Sequence, residues 1–458
     1  MKRILALLVA LVLVGSASVV FAENVAKSDA YAGKTLRIVG PGGISSAKPD
    51  SVTGDNGTVV PGYNDLFNAF VEDYPGVTIE FTPATWTDWH ANLRTAAVGE
   101  SADILLHGSM LTDICFDLTD YLIRDAWVLD YLSGKPEQYR YDEENYTVYK
   151  PTGLSYCLNP YYALIDLRIL EHYGVKAPEK GWTWDDLMAI AEACTGTDPV
   201  TGVETKGCYM LKTEINKGMT CYLAAKGLKL QTYHDYKWDM EVHFTDPEIM
   251  AAFEFFAKLV NLGGSGYLEK IGRDKYGSAE NDIAILVSEN MYSDLKMIAA
   301  AGLEDSFIFM PLPVNENEPE KSDSNASGYA GSSSIAIAYN AKEPDLAWEF
   351  IKWLVTDEYA QEWIVANKRC PATYYGVKCL IDSNAQYTSF CEAYNDIMSN
   401  FWDNWTIDQF NRIDTGISEL GAIVEMYMAE YIRGEVDMQT ACESMAADFA
   451  EVAQMNHK

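Results

Sequence analysis

Residues 328–364 read GYAGSSSIAIAYNAKEPDLAWEFIKWLVTDEYAQEWI. A small-residue run, Gly331 to Ser334, leads into an apolar strand, Ile335 to Tyr339, and then to Pro344. Proline suits the first position of a helix, where its missing N–H leaves no bond unmade. Beyond it Leu346, Ala347, Phe350, Ile351, Leu354 and Val355 recur at helical spacing, so one face of this helix is buried. A strand and helix this late in the chain need a sheet to join.

Partners for that strand lie at the other end of the chain. Lys34–Gly43 (KTLRIVGPGG), Val77–Phe81 (VTIEF) and Ala102–Gly108 (ADILLHG) are strand candidates separated by amphipathic helices. If the late strand joins them, everything between is an inserted second lobe. Strands alternating with helices predict an α/β fold with mainly parallel sheets, and such sheets bind ligands beyond the carboxyl ends of their strands. Three loops then qualify, and they point to Gly43, Trp86, His107 and Ser109. Three have a second reading: the glycines as a tight turn, Trp86 as core, and His107 as a cap for the next helix.

The inserted region carries its own elements. Tyr146–Asn159 (YTVYKPTGLSYCLN) reads as two strands broken at Pro151–Gly153, with Tyr156 in the second. In Gly181–Leu187 (GWTWDDL), Thr183 is a good N-cap with Asp186 at the capping-box position. Glu214 follows a strand-like Cys208–Leu211. Asn281–Val287 leads to Glu289–Asp294 (ENMYSD), Phe307–Pro313 reads FIFMPLP, and an acidic, Ser/Asn-rich linker, 314–327, follows. Pro371–Tyr374 is a turn. The last helices are interrupted by the aromatic stretch Phe401–Trp405.

This order of elements, with NAKEPDLAWEFIKWL at 340–354 and GWTWDDL at 181–187 as its best motifs, resembles the extracellular solute-binding proteins of ABC importers, in the class that takes sugars and oligosaccharides. The resemblance implies a two-lobed periplasmic-binding-protein fold, each lobe a mainly parallel sheet flanked by helices. It divides the chain into a signal peptide (1–22), a first lobe (33–135 and 329–372) and a second (140–327 and 376–458). Crossings near 131–141, 328–331 and 369–375 would serve as the hinge. It implies a small carbohydrate ligand and the transmembrane subunits of a permease as partners, with no cofactor and no metal. Tyr292 stands where relatives hold Gly-Pro-Trp or Gly-Ser-Trp, whose aromatic ring stacks on a sugar. Tyr329 stands at their Gly-Gly-Trp-Gly crossing. Two departures are Ala163 after Tyr161-Tyr162, where relatives carry Asn, and the absence of Arg from the Pro371–Tyr374 turn.

Composition bounds the rest. Lys2 and Arg3, the apolar run Ile4–Val14 and Val20-Phe21-Ala22 form a secretory signal, too short in its core to span a membrane. With no cysteine just after Ala22, a soluble exported protein without a lipid anchor is expected. The formal charge of −33 becomes −35 without Lys2 and Arg3, which argues against nucleic acid and anionic membranes as partners. A solvated acidic surface accounts for it, and a cationic ligand such as a polyamine is the alternative. The nine cysteines are an odd number, and Cys194 and Cys208 bracket a polar loop that a bridge could staple; Cys370 and Cys379 are a second pair. No spacing matches a zinc knuckle, and no nucleophile elbow, P-loop or dinucleotide fingerprint occurs, so a binding role, as a monomer and not an enzyme, is expected. The 29 tyrosines and 11 tryptophans supply flat apolar area for the C–H face of a sugar. Tyr156, Tyr292, Tyr329, Tyr374 and Trp402 are the aromatic candidates. Glu214 would accept hydroxyl hydrogen bonds.

Overall fold

The computed structural model describes residues 29–41, 48–53, 59–85, 89–108, 111–133, 151–210, 222–223, 226, 228, 230–233, 240–263, 275, 277–314, 330–400 and 417–456. The chain opens with β1 (Thr35–Pro41), α1 (Tyr63–Asp73), β2 (Thr78–Ala84), α2 (Trp89–Val98) and β3 (Ile104–Leu106). It continues through β4 (Leu154–Pro160), β5 (Tyr162–Asp166), α3 (Trp184–Ala193), β6 (Gly196–Thr197), β7 (Glu204–Met210) and α4 (Pro247–Asn261). Then come β8 (Ile283–Ser288), α5 (Met291–Ala300), β9 (Phe307–Pro311), β10 (Ala330–Ile337) and α6 (Pro344–Thr356). α7 (Glu358–Ala366), β11 (Cys370–Pro371), α8 (Tyr374–Asp382), α9 (Thr388–Asn400) and two further helices, Ile417–Ile432 and Met438–Asn456, end the described chain.

The late strand does join the early ones. One sheet has the order β11-β4-β10-β3-β1-β2, and a second has the order β9-β5-β8-β7-β6. Both are mixed, where mainly parallel sheets were expected. β1 runs parallel to β2 and β3, and β7 parallel to β8, but β10 lies antiparallel to both β3 and β4. β5 is antiparallel to β8 and β9. The reason is connectivity: β10 returns from the second sheet instead of following a crossover helix, so it enters the first sheet reversed.

The helix read from 344 onward forms as its spacing predicts, with a wider buried face. Trp348 and Trp353 are buried along with the six foreseen residues, and their indole N–H groups donate to Asp125 (2.6 Å) and Asp73 (3.0 Å). A buried indole needs such a partner. α6 packs with Phe67 and Phe70 of α1 on Leu36, Ile38, Ile104, Ile335 and Ile337, which form the first sheet's core. Each large side chain buried this way contributes roughly 1.5–3 kcal/mol. Around the second sheet, Trp184, Leu187, Phe253 and Phe256 pack on Ile285 and Val287. Thr183 caps α3 as expected, in a capping box with Asp186.

Two expectations fail here. The Cys194–Cys208 bridge is absent, as is Cys370–Cys379. All four thiols are free, and Cys194 and Cys208 lie inside the second sheet's core as small apolar side chains. The crossing between sheets also differs from the one foreseen near 131–141, of which 134–141 lie outside the described residues. Residues 154–160 pair with β10 in the first sheet and 162–165 pair with β8 in the second, so here the chain passes from one sheet to the other through a single residue, Tyr161. Asn159-Pro160, just before it, is a turn signal, but residues 146–159 resemble the family's entry to the second lobe, and that likeness puts the whole stretch in the wrong lobe.

Candidate functional site

The strand directions fix where the two sheets meet. β1, β2 and β3 run in parallel to carboxyl ends at Pro41, Ala84 and Leu106, and β4, like β3 antiparallel to β10, ends on the same edge at Pro160. In the second sheet Ser288, the end of β8, sits opposite Tyr162, the start of β5, and Pro311, the end of β9, sits opposite Tyr162 as well. One residue, Tyr161, therefore joins the carboxyl edge of one sheet to the carboxyl edge of the other. This is where an α/β sheet offers its ligand site.

A cleft of about 450 Å3 opens at this junction. Its first-sheet wall is Leu158 and Asn159 of β4, Val60 and Pro61 ahead of α1, and Ala366–Cys370 between α7 and β11; Lys48, Asp50 and Val52 add to its rim. Its second-sheet wall is Glu289–Ser293, the link from β8 into α5. The volume falls within the roughly 300–1,000 Å3 of small-molecule sites.

Both walls are held from behind. The Tyr161 hydroxyl donates to the Glu289 carboxylate, which fixes that side chain at the crossing. Ser288 and Tyr162 hydroxyls both donate to Asp294 Oδ2, so the end of β8 and the first turn of α5 are tied to β5. Asn290, the N-cap of α5, makes no side-chain cap. Across the cleft, Arg369 Nη1 donates to Asn159 Oδ1 at 3.3 Å. Lys368 adopts φ 59° as the chain leaves α7, with its N–H on Val365 O (2.9 Å) and that of Arg369 on Ile364 O (3.1 Å). Glycine is the usual residue in such a reversal, and a side chain there costs roughly 1 kcal/mol.

His107, at the end of β3, also lies in the left-handed region, at φ 62°, with its N–H on Ser334 O (2.6 Å). Its Nε2 is 3.4 Å from the Tyr156 hydroxyl, and its ring meets Trp89 and Tyr156 edge-on. Burial, and after it the Arg369 charge, pushes the His107 imidazole down to about 3, so the ring is neutral. Burial pushes the Tyr156 phenol well up.

The foreseen site residues divide three ways. Gly43, Trp86, Ser109, Glu214, Tyr329 and Trp402 lie outside the described residues. Tyr292 does line the cleft, yet it is only 5% exposed: its ring packs 5.9 Å from that of Phe390 and Lys296 Nζ lies 5.0 Å from its centroid, so little of the ring is open to a ligand. His107 and Tyr156 are buried behind the lining, and Tyr374 is 61% exposed outside it. Sequence reasoning missed Asn159, Glu289, Asn290, Lys368 and Arg369. Asn159 and Glu289 stand at or just past the carboxyl ends of β4 and β8, where the strand-end rule points. Arg369 reaches the cleft through α7 and β11, a placement that no local pattern carries.

The fold and cleft can be set beside known proteins. Residues 55–361 match the family model of the bacterial extracellular solute-binding proteins. The chain belongs to that family. Among solved structures, it is similar to the sugar-binding protein MalE from the phytopathogen Xanthomonas citri, at 14% identity over 92% of this chain and 98% of that one, with a TM-score of 0.66. It is similar also to an ABC substrate-binding protein from Listeria monocytogenes in complex with cycloalternan (14% identity, 92% and 99% covered, TM-score 0.65). A third is an ABC transporter solute-binding protein from Thermotoga lettingae bound with α-D-tagatose (16% identity, 92% and 100% covered, TM-score 0.64). At such identities the likeness is one of fold, the two-lobed α/β fold of periplasmic binding proteins. No curated protein matches the sequence. Among the described residues no helix is long and apolar enough to cross a membrane.

Proposed function

We propose that this solute-binding protein captures a carbohydrate in the cleft between its sheets and presents it to the transmembrane subunits of an ABC importer. The observation that carries the reading is the cleft itself: about 450 Å3, set where the carboxyl edges of two sheets face each other, with Asn159, Glu289 and Asn290 in its lining to take hydroxyls. Sugars bound in several proteins of the same fold support it. The lobes follow the sheets, so the division at 135–140 moves, with 151–160 passing to the first lobe. Closure would bend the chain at Tyr161 and at 366–374. The protein is exported after cleavage near Ala22 and works as a monomer, by binding without catalysis. A polyamine fits less well, because Lys48, Lys368 and Arg369 in the lining repel a cation.

A melting-temperature screen of mono- and oligosaccharides tests this. A ligand at 100 times its Kd stabilises by about 2.7 kcal/mol and raises the midpoint accordingly. Small-angle scattering with that ligand should show a more compact particle. A screen in which polyamines raise the midpoint and no sugar does would overturn the reading.

A further inference from the structure

We propose that the carbohydrate carries an anionic substituent, and that Arg369, supported by Lys48 and Lys368, receives it. The inference rests on the sugar-binding reading above and narrows it. With 67 acidic against 34 basic residues, a cation in this chain has acids in excess to pair with, and every other described arginine does pair: Arg37 with Asp103, Arg94 with Asp113, Arg124 with Asp125, Arg168 with Asp166 and Arg433 with Glu435. Lys48, Lys368 and Arg369 meet at one cleft, and among the described residues none of them forms an ion pair.

The acids of the same lining are engaged in other ways. Glu289 accepts the Tyr161 hydroxyl, and Asp50 accepts Asn64 Nδ2 at 3.1 Å. Arg369, half-buried, has one amide oxygen at 3.3 Å against its five donors. That leaves most of a planar fork open toward the cleft, and a guanidinium fork matches the two oxygens of a carboxylate, sulfate or phosphate in a bidentate pair. The field is reinforced on both sides. Arg369 acts on the buried His107 and Tyr156, and the Lys296 ammonium of α5, outside the lining and held by Asn384 Oδ1 at 2.9 Å, is destabilised first by burial and then by Lys368. Neutral sugar hydroxyls need none of this positive charge. A uronic acid, a sulfate ester or a sugar phosphate does.

The test is titration calorimetry on the mature chain with tri-galacturonate, maltotriose, a sulfated disaccharide and glucose 6-phosphate, at two salt concentrations. At least one acidic probe should bind about tenfold or more tighter than maltotriose and weaken as salt rises. Which acidic probe binds identifies the substituent. Arg369→Met should weaken that probe about 10- to 100-fold, and Arg369→Lys, which keeps charge but not the fork, should recover part of the loss. Unchanged melting of both variants without sugar shows that they fold. If maltotriose binds as tightly as every acidic probe and Arg369→Met changes nothing, the anionic inference falls while the carbohydrate reading stands. If no probe binds, acidic or neutral, the inference fails together with the reading beneath it.

Discussion

Two arginines of the first lobe have opposite surroundings. Arg37, in β1, gives Nε and Nη2 to Asp103 at 2.9 and 2.6 Å and Nη1 to the Glu100 carbonyl. Asp103, fully buried, also accepts the N–H groups of Arg37, Lys342 and Glu343, so one carboxylate joins β1, the start of β3 and the approach to α6. Arg369, in the cleft, has a single long bond to an amide. The difference separates a charge the fold consumes from a charge it leaves available. Where the chain needs an arginine for architecture, it supplies every acceptor; at the cleft it supplies almost none.

The largest effect that would break this comparison is on stability. Asp103→Ala leaves the Arg37 guanidinium, 16% exposed, without its carboxylate and two loop N–H groups without an acceptor. Unfolding in urea should show a loss of about 3–5 kcal/mol, the usual result of removing one partner of a buried pair. A loss below about 1 kcal/mol would mean that Arg37 is no more structural than Arg369. Burial by itself would raise the Asp103 carboxyl, but the bonds from Arg37 outweigh it and the net shift is downward. Its contribution is therefore present at neutral pH and lost only in acid.

A second, intermediate effect concerns His107. Its folded value is depressed to about 3 from an ordinary 6.5, so below pH 6.5 the unfolded chain takes a proton that the folded one refuses. Stability present above pH 6.5 should fall by about 1.4 kcal/mol for each pH unit toward 3. Subtracting the unfolding curve of His107→Gln from that of the parent isolates this slope, and equal slopes in the two proteins would show that the imidazole is not held neutral. The smallest effect is expected at Arg369. Without ligand, Arg369→Met should change the unfolding free energy by less than about 0.5 kcal/mol, as for a side chain outside any network. A loss comparable to that of Asp103→Ala would make Arg369 architectural and erase the contrast.

Much of the first sheet was legible in the sequence because its signals are local. Pro344 and the recurrence of Leu346, Phe350, Ile351 and Leu354 announce α6, and the apolar runs of β1 and β3 announce their partners. Strand direction was not legible, since nothing in 330–337 states that the chain comes back from another sheet. The cleft was partly legible. Tyr292 lines it, but the ring packs on Phe390, 98 residues further on, and such a contact has no trace in the local pattern. Tyr161 shows the same limit: Asn159-Pro160 signals a break in the run Leu158–Tyr162, but only pairing partners reveal that the two sides of the break belong to two sheets.

The free thiols carry a consequence for how such a protein matures. Burial pushes Cys194 up to about 11, and Cys115, Cys208, Cys370 and Cys442 up to about 12, so at neutral pH no more than about one in 10,000 of any of these sulfurs is ionised. Exchange proceeds through the thiolate, and a sulfur that is both un-ionised and enclosed is a poor participant. Once folded, this chain can pass through an oxidising compartment with these cysteines chemically silent. The hazard lies earlier, while the exported chain is still unfolded and the same thiols are exposed to wrong partners, so the rate of core formation protects them where a native cross-link does not.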